Sequence, residues 1–240
     1  MLAVAQGIPL KGFAAGLQRH PFVFLSKKEK PVRTPADFRG KKVGLSITSV
    51  IQLRGVLKLN GIDLKEVQII PIGNELTPLL SGQVDVVSAW LSNTAAIKNL
   101  GPDIEKLSLW DAGVKLYANV YYATPETISS KPDLLVRFTK AVARGWGYAY
   151  EHPDEAVELL LKEMPSLNLE GEREAARVIL AHSFDDATLH DGWGTLDSAR
   201  WENQLELAAN LDQLPRKPQV DEVITLDMLK ATANHRPKFG

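Results

Sequence analysis

The sequence predicts an α/β fold, because short apolar runs alternate with segments of helical periodicity. The pattern is clearest in residues 35–90, which follow the order strand, helix, strand, helix, strand. Strands that alternate with helices in this way are typical of a parallel sheet built of right-handed crossovers. From residue 132 onward the apolar spacing is helical. We therefore expect a parallel sheet early in the chain and mainly helices after it.

Individual elements follow from the same periodicities. Apolar runs of strand length predict strands at 10–15, 22–25, 43–45, 67–72, 84–87, 107–111 and 116–123. Helical spacing, with Gly or Pro at the ends, predicts helices at 2–6, 51–59, 76–80, 91–100, 132–151, 153–162, 170–184, 196–211 and 226–233. Residues 185–194 are predicted to form a turn-rich loop.

Polar and aromatic side chains follow three of the predicted strands. In open α/β sheets, ligands bind beyond the carboxyl ends of the strands. The candidate ligand-binding residues at these positions are Ser46, Thr48, Ser49, Asn74, Glu75, Trp90 and Asn93. Two interpretations of Ser46, Thr48 and Ser49, which follow the first of these strands, stay open. Thr48 or Ser49 either caps the helix that follows, or contacts an anionic or polar ligand group at the helix N-terminus.

The predicted strand 116–123 alternates in character. Its packed face would carry Leu116, Ala118, Val120 and Tyr122, and its other face would carry Tyr117, Asn119 and Tyr121. The second face would offer two phenols and an amide to a ligand. Alternatively, the tyrosines are ordinary half-buried strand residues, since aromatic residues favour strands.

The five tryptophans suggest a site for a small planar molecule, because aromatic side chains supply flat apolar walls. Trp90 ends a predicted strand, and Trp193 lies in a Gly-flanked loop. Both are candidate ligand-binding residues. Trp110, Trp146 and Trp201 are expected to pack in the core or between helices.

Composition reduces the number of function classes that fit the chain. The net charge of −1 gives no electrostatic argument for nucleic acid or an anionic membrane as a partner. The absence of cysteine excludes disulfides, thiolate metal sites and cysteine nucleophiles. His182, Asp185, Asp186 and His190 cluster, but these residue types suit turns and helix caps. We therefore expect no catalytic residue, no metal and no cofactor. No apolar run is long enough to span a membrane, and residues 1–15 lack the basic region of a signal peptide.

Two stretches carry a family resemblance. The pattern PADFRGKKVGLS…LSGQVDVVSAW, followed by YANVYYATPETISSKPDLLVRFTKAVARGWGYAYEHPDEAVELLL, resembles the periplasmic solute-binding proteins of ABC importers. It is most similar to the group that binds the thiamine pyrimidine precursor, with relatives for nitrate, taurine and alkanesulfonates. The resemblance implies a two-lobed α/β fold of type II, with a ligand cleft between the lobes that closes by a hinge motion.

The resemblance also implies a division of the chain. Lobe one would comprise residues 1–33 and 119–240, and lobe two would comprise residues 34–118. A crossing segment near residue 119 would make Asn119 and Tyr121 face the cleft. Members of the family begin with further β-α units, so we expect this chain to be truncated at its N-terminus, without its signal peptide and the start of lobe one.

The expected function is that of the solute-binding component of an ABC importer. Its ligand would be a thiamine pyrimidine precursor or a similar heterocycle. Its partner would be a membrane permease, its location periplasmic or extracytoplasmic, and its full-length form a monomer. Two alternatives remain. One is a sulfonate, taurine or nitrate binder of the same fold. The other is an enzyme that makes the thiamine pyrimidine, although fungal relatives of that kind carry a Cys-rich motif that is absent here.

Overall fold

The computed structural model describes residues 1–240 and is of mixed α/β type, which confirms the predicted fold class. Its seven strands are β1 Lys11–Leu17, β2 Phe22–Lys27, β3 Lys42–Leu45, β4 Gln68–Pro71, β5 Val86–Trp90, β6 Ile104–Ser108 and β7 Ala118–Ala123. Its helices are α1 Leu2–Ala5, α2 Val50–Leu59, α3 Thr77–Leu80, α4 Thr94–Lys98, α5 Pro125–Ser130, α6 Pro132–Glu151, α7 Pro153–Glu163, α8 Leu169–Ser183, α9 Asp186–Asp191, α10 Ser198–Asn210, α11 Val220–Val223 and α12 Asp227–Ala231. None of these helices combines the length and the apolar composition needed to cross a lipid bilayer.

The chain forms two compact units. Unit 1 contains Met1–His20 and Leu116–Gly240, and unit 2 contains Pro21–Lys115. These boundaries differ from the expected ones at 33/34 and 118/119. The main reason is β2, which pairs with β5 and β6 and so belongs to unit 2. An apolar run of strand length predicts a strand, but it does not indicate which sheet the strand will join.

Unit 2 is built on a five-stranded sheet of order β4-β3-β5-β2-β6. Strand β3 is parallel to both of its neighbours, β4 and β5. Strand β2 is antiparallel to β5 and to β6. The parallel sheet predicted from residues 35–90 is therefore confirmed for β3, β4 and β5. Strand β2 lies outside that stretch and joins the sheet antiparallel, without a preceding helical crossover.

Residues of β2 form the centre of the unit 2 core, and every residue from Phe22 to Ser26 is buried. On one face, Val23 and Leu25 belong to an apolar cluster with residues of α3, β5 and α4. In addition, the ring of Phe24 meets the rings of Phe22 and Phe38 edge-on, at centroid distances of 5.2 and 5.0 Å. A strand that is covered on both faces has a continuous apolar sequence, as the run FVFL does.

Unit 1 contains a two-stranded antiparallel sheet of β1 and β7, packed among helices. The pairing shifts register between Gly12 and Ala14, and Asn119 adopts a left-handed conformation with φ of 51°. A Cβ at Gly16 would lie 3.1 Å from both the Cβ and the carbonyl oxygen of Asn119, so glycine permits this close pairing.

This irregularity breaks the predicted alternation of β7. Tyr122, expected on the packed face, is 65% exposed. Tyr117, expected on the ligand face, is buried, and its ring stacks on Trp201 at a centroid distance of 5.8 Å. Its hydroxyl accepts a hydrogen bond of 2.9 Å from the backbone N–H of Asp197. The prediction that one face of this strand offers two phenols and an amide to a ligand is therefore wrong.

The end of the chain packs onto α6. The ring of Phe239 stacks on Tyr150 at a centroid distance of 4.5 Å. A Cβ at Gly147 would lie 2.9 Å from Cγ of Pro237, so the helix and the segment 236–240 approach each other closely at this glycine. The segment thus covers part of the apolar surface of unit 1.

Candidate functional site

Seven of the predicted site residues lie beyond three neighbouring strands of unit 2. Since β4, β3 and β5 are adjacent and parallel, their carboxyl ends meet at one edge of the sheet. We call the residues that follow these ends the strand-end set. Its members are Ser46, Thr48, Ser49, Asn74, Glu75, Trp90 and Asn93. The structure therefore places these candidates in the position where ligands of open α/β sheets bind.

Three hydroxyl groups follow β3 and contact one another. The Oγ of Ser46 lies 3.1 Å from Oγ1 of Thr48 and 2.9 Å from Oγ of Ser49. None of them makes a side-chain cap to the turn at 47–49 or to α2. The capping interpretation is therefore wrong. The hydroxyls form a small polar patch whose protons can rotate toward a ligand that accepts or donates hydrogen bonds.

The loop after β4 carries Asn74 and Glu75, and both are exposed. The Oε1 of Glu75 accepts a hydrogen bond of 3.2 Å from the backbone N–H of Gly73. A Cβ at Gly73 would clash with the other carboxylate oxygen of Glu75, so a larger residue there would displace the carboxylate. The contact orients the carboxylate and leaves it accessible.

Trp90 is the last residue of β5 and is 48% exposed. The backbone N–H of Asn93 donates to the carbonyl of Trp90 at 2.8 Å, which holds the turn between β5 and α4. Asn93 is exposed and makes no side-chain cap to α4. This end of β5 therefore presents a flat aromatic surface and an amide next to the strand that carries the three hydroxyls.

Unit 1 holds the other predicted residues in different surroundings. Asn119 is exposed. Tyr121 is half-buried, and its hydroxyl accepts a hydrogen bond of 3.1 Å from Nε1 of Trp146. Its ring lies 6.0 Å from that of Phe138, edge to face. The hydroxyl of Tyr121 thus already has a hydrogen-bond partner within unit 1.

Trp193 lies in the core of unit 1 and is only 1% exposed. Its Nε1 donates to Oγ of Ser183 at 3.2 Å, and its ring stacks on Trp146 at 6.0 Å. The prediction of Trp193 as a wall of the ligand site is wrong, because packing already covers the ring. Gly192 and Gly194 flank it with φ of 80° and 84°, and this tight turn directs the indole inward.

Sequence reasoning missed a partly buried polar cluster at the end of β1. The backbone N–H of Gln18 donates to the carbonyl of His182 at 2.7 Å, and the guanidinium of Arg200 donates to the carbonyl of Gln18. Burial and, to a smaller extent, the neighbouring His182 together lower the pKa of His20 to about 4. A polar residue at the end of a strand or on a helix carries no signal that its partners are buried, so the sequence could not reveal this cluster.

The predicted cap role of the His-Asp cluster is confirmed for Asp185. Its carboxylate accepts hydrogen bonds from the backbone N–H groups of Ala187 and Thr188 at the start of α9. This helix occupies part of the segment that was predicted to be a loop. The structure contains no group of three or more His, Asp or Glu side chains that could hold a metal ion.

Comparisons with known proteins agree on family and fold. The family model described as "NMT1/THI5 like" matches residues 1–156, more than half of the chain. The periplasmic aliphatic sulphonate binding protein SsuA from Escherichia coli has a similar fold, with a TM-score of 0.73 at 17% identity. That match covers 93% of this chain and 71% of the other.

Curated relatives have varied names. Riboflavin-binding protein RibY from Chloroflexus aurantiacus is 26% identical, over 94% of this chain and 66% of its own length. The formylaminopyrimidine-binding protein of Halalkalibacterium halodurans is 26% identical, over 84% of this chain and 63% of its own length. The 4-amino-5-hydroxymethyl-2-methylpyrimidine phosphate synthase of Legionella pneumophila is 25% identical, over 69% of this chain and 54% of its own length. The chain thus spans less than two thirds of the length of each.

Proposed function

Because the chain belongs to the NMT1/THI5-like family, we propose that it is a solute-binding protein that takes a small organic molecule at the strand-end set of unit 2. One observation carries the proposal: polar and aromatic residues lie at the carboxyl ends of three adjacent parallel strands. Ligands of open α/β sheets bind at such edges. The names of two relatives, which are binding proteins for riboflavin and formylaminopyrimidine, support this class of function.

A thiamine pyrimidine precursor or a similar heterocycle suits the chemistry of the strand-end set best. The exposed ring of Trp90 offers a stacking surface for a planar ring. The hydroxyls after β3 and the exposed Asn74 and Asn93 offer donors and acceptors for ring nitrogens and amino groups. A sulfonate, taurine or nitrate is the alternative, because the same hydroxyls at the start of a helix also suit an anion.

Thermal unfolding with a ligand panel tests the proposal. The panel contains an aminopyrimidine, riboflavin, taurine and nitrate, each at a concentration well above its expected Kd. A bound ligand stabilises the protein by about 2.7 kcal/mol at a hundredfold excess over Kd, so we expect the aminopyrimidine to raise Tm by several degrees. Trp90→Ala should abolish most of this shift. Leu59→Ala, which truncates another apolar side chain of unit 2 that is 51% exposed, should preserve it.

Two results would contradict the proposal. If no member of the panel raises Tm, the solute-binding function loses its main support. If Leu59→Ala and Trp90→Ala reduce the shift equally, the binding site lies elsewhere. A shift with taurine or nitrate alone would favour the anion-binding alternative.

We infer that the protein binds its ligand without converting it, and the relative named as a synthase provides the reason to test this. An enzyme that uses pyridoxal phosphate would form a Schiff base with a lysine. We expect no lasting absorbance change after the cofactor is added and excess is removed. A stable absorbance band, fixed to the protein by borohydride and lost in a Lys variant, would support the enzyme.

The proposal also assigns a location and a partner. By analogy with the periplasmic protein of similar fold, we propose that this protein acts outside the cytoplasm and delivers its ligand to an ABC permease. The analogy rests on fold and family. Copurification of the protein with a membrane permease from its native source would test it directly.

A further inference from the structure

We propose that unit 1 carries a second binding site, for a small phosphate-bearing anion, in a groove between α6 and the segment 234–237. The groove has a volume of about 700 Å³ and is open to solvent. It shares no residue with the strand-end set. The proposal is therefore independent of the ligand of unit 2.

The groove is strongly basic. Arg137, Lys140 and Arg144 are spaced by three and four residues along α6, so their side chains share one face of the helix. Arg236 lines the groove from the other side, and Glu151 is its only acidic lining residue. The groove thus gathers four cationic side chains around one carboxylate, in a chain whose net charge is −1. Such a local excess of positive charge attracts anions.

The environment of Arg236 supplies a second observation. The residue is only 8% exposed. Its Nη1 donates to the carbonyls of Gly192 and Trp193 at 2.8 and 2.7 Å, whereas its buried Nε has no hydrogen-bond partner. Burial lowers the pKa of Arg236, and attraction to Asp191 opposes that change. A buried guanidinium that forms no ion pair is costly, so an anion in the groove would stabilise it.

The residue types favour phosphate over other anions. The planar guanidinium binds phosphate oxygens through pairs of parallel hydrogen bonds, and two arginines of the groove lie on the exposed face of α6. Arg137 and Arg144 make no ion pair within the protein, so binding would break no existing salt bridge. Several cations around one groove match a ligand with more than one negative charge.

Isothermal titration of the full chain with sodium pyrophosphate at low ionic strength tests the site. We expect saturable binding at one site. Each loss of a charge-assisted hydrogen bond should weaken the binding, so Arg137→Gln and Arg144→Gln should each raise Kd about tenfold. Lys162→Gln removes the same charge from the exposed surface of α7 and should raise Kd less than about twofold. Arg236 is left unchanged, because its hydrogen bonds brace the turn at Trp193.

Clear results would overturn the proposal. Absence of binding up to millimolar pyrophosphate would do so. Equal weakening of pyrophosphate binding by Arg144→Gln and Lys162→Gln would also do so, because it would indicate unspecific electrostatic attraction. Cosedimentation with phosphatidylglycerol vesicles, compared with phosphatidylcholine vesicles, distinguishes a lipid source of the phosphate. Binding to vesicles alone would also overturn a site for a small anion. Trp90→Ala should leave the pyrophosphate Kd unchanged, which separates this result from the test of the strand-end set.

Discussion

Trp90 in unit 2 and Trp193 in unit 1 have the same side chain in opposite environments. Trp90 ends a strand at an open sheet edge and is 48% exposed, whereas Trp193 follows a short helix and is 1% exposed. The indole N–H of Trp193 has a buried acceptor in Ser183. The difference teaches that a Gly-flanked loop can direct an aromatic ring into the core, while a strand end can leave one half-exposed to solvent.

Truncation of Trp193 should have the largest effect on stability. Trp193→Ala removes a buried ring that packs on Trp146 and Tyr121, so we expect a loss of about 3–5 kcal/mol in the free energy of unfolding. Urea denaturation, monitored by circular dichroism, measures this loss of stability. Ligand affinity of the folded protein should stay unchanged. A loss below about 1 kcal/mol would mean that the two tryptophans are not distinguished by burial.

Acid should weaken unit 1 through His20. Its pKa is about 4 in the folded protein, below the usual 6.5, so the unfolded chain binds the proton more strongly. The stabilisation by neutral His20 is complete above pH 6.5 and is lost progressively as pH falls toward 4. Between pH 7 and pH 5 we expect a loss of about 2 kcal/mol.

The control for this prediction is His20→Asn, which cannot titrate. Carboxylates contribute equally to both proteins, so the difference in their unfolding free energies between the two pH values isolates His20. If the wild type and the variant lose the same stability, the ring is not shielded as the structure indicates.

Loss of the hydroxyl beneath Trp193 should have an intermediate effect. The Oγ of Ser183 donates to the carbonyl of Gly16 at 2.6 Å and accepts from the indole of Trp193 at 3.2 Å, with no exposure to solvent. Ser183→Ala leaves both partners buried and unpaired, which should cost about 2 kcal/mol. Trp193→Phe should cost less in the Ser183→Ala background than in the wild type, because phenylalanine leaves no indole N–H without an acceptor. Additive effects of the two substitutions would contradict the contact.

The smallest effect on stability is expected for Trp90. About half of its side chain is exposed, so Trp90→Ala should cost about 1–2 kcal/mol, well below Trp193→Ala. Ligand binding should be lost nonetheless. A large stability loss with unchanged affinity would reverse the comparison and make Trp90 a core residue.

Periodicity predicted the elements well where the apolar pattern was long or continuous. The helix from residue 132 and the run FVFL are examples, since their burial follows from local sequence. Helix α5 was missed, although Thr124 and Pro125 form a common N-terminal pair, and Thr124 indeed caps the helix. Its few apolar residues gave no helical stripe.

The candidate site was predictable only in part, for a physical reason. Strand ends are defined by local sequence, so the residues of the strand-end set could be placed at one edge. The direction of β2, the inward turn at Trp193 and the left-handed Asn119 depend on partners distant in sequence. A local sequence pattern does not indicate which distant residues will become these partners.

The strand order has a consequence for how the chain folds as it is synthesised. Unit 2 is a continuous segment, Pro21–Lys115, so all its strands are available once that segment has left the ribosome. By contrast, β1 pairs along its length with β7, which is made after the whole of unit 2. During that interval the apolar strand β1, almost entirely buried in the final structure, is without β7 beside it. Such delayed long-range pairing is slow and prone to aggregation, so β1 is the segment that a chaperone would be expected to protect.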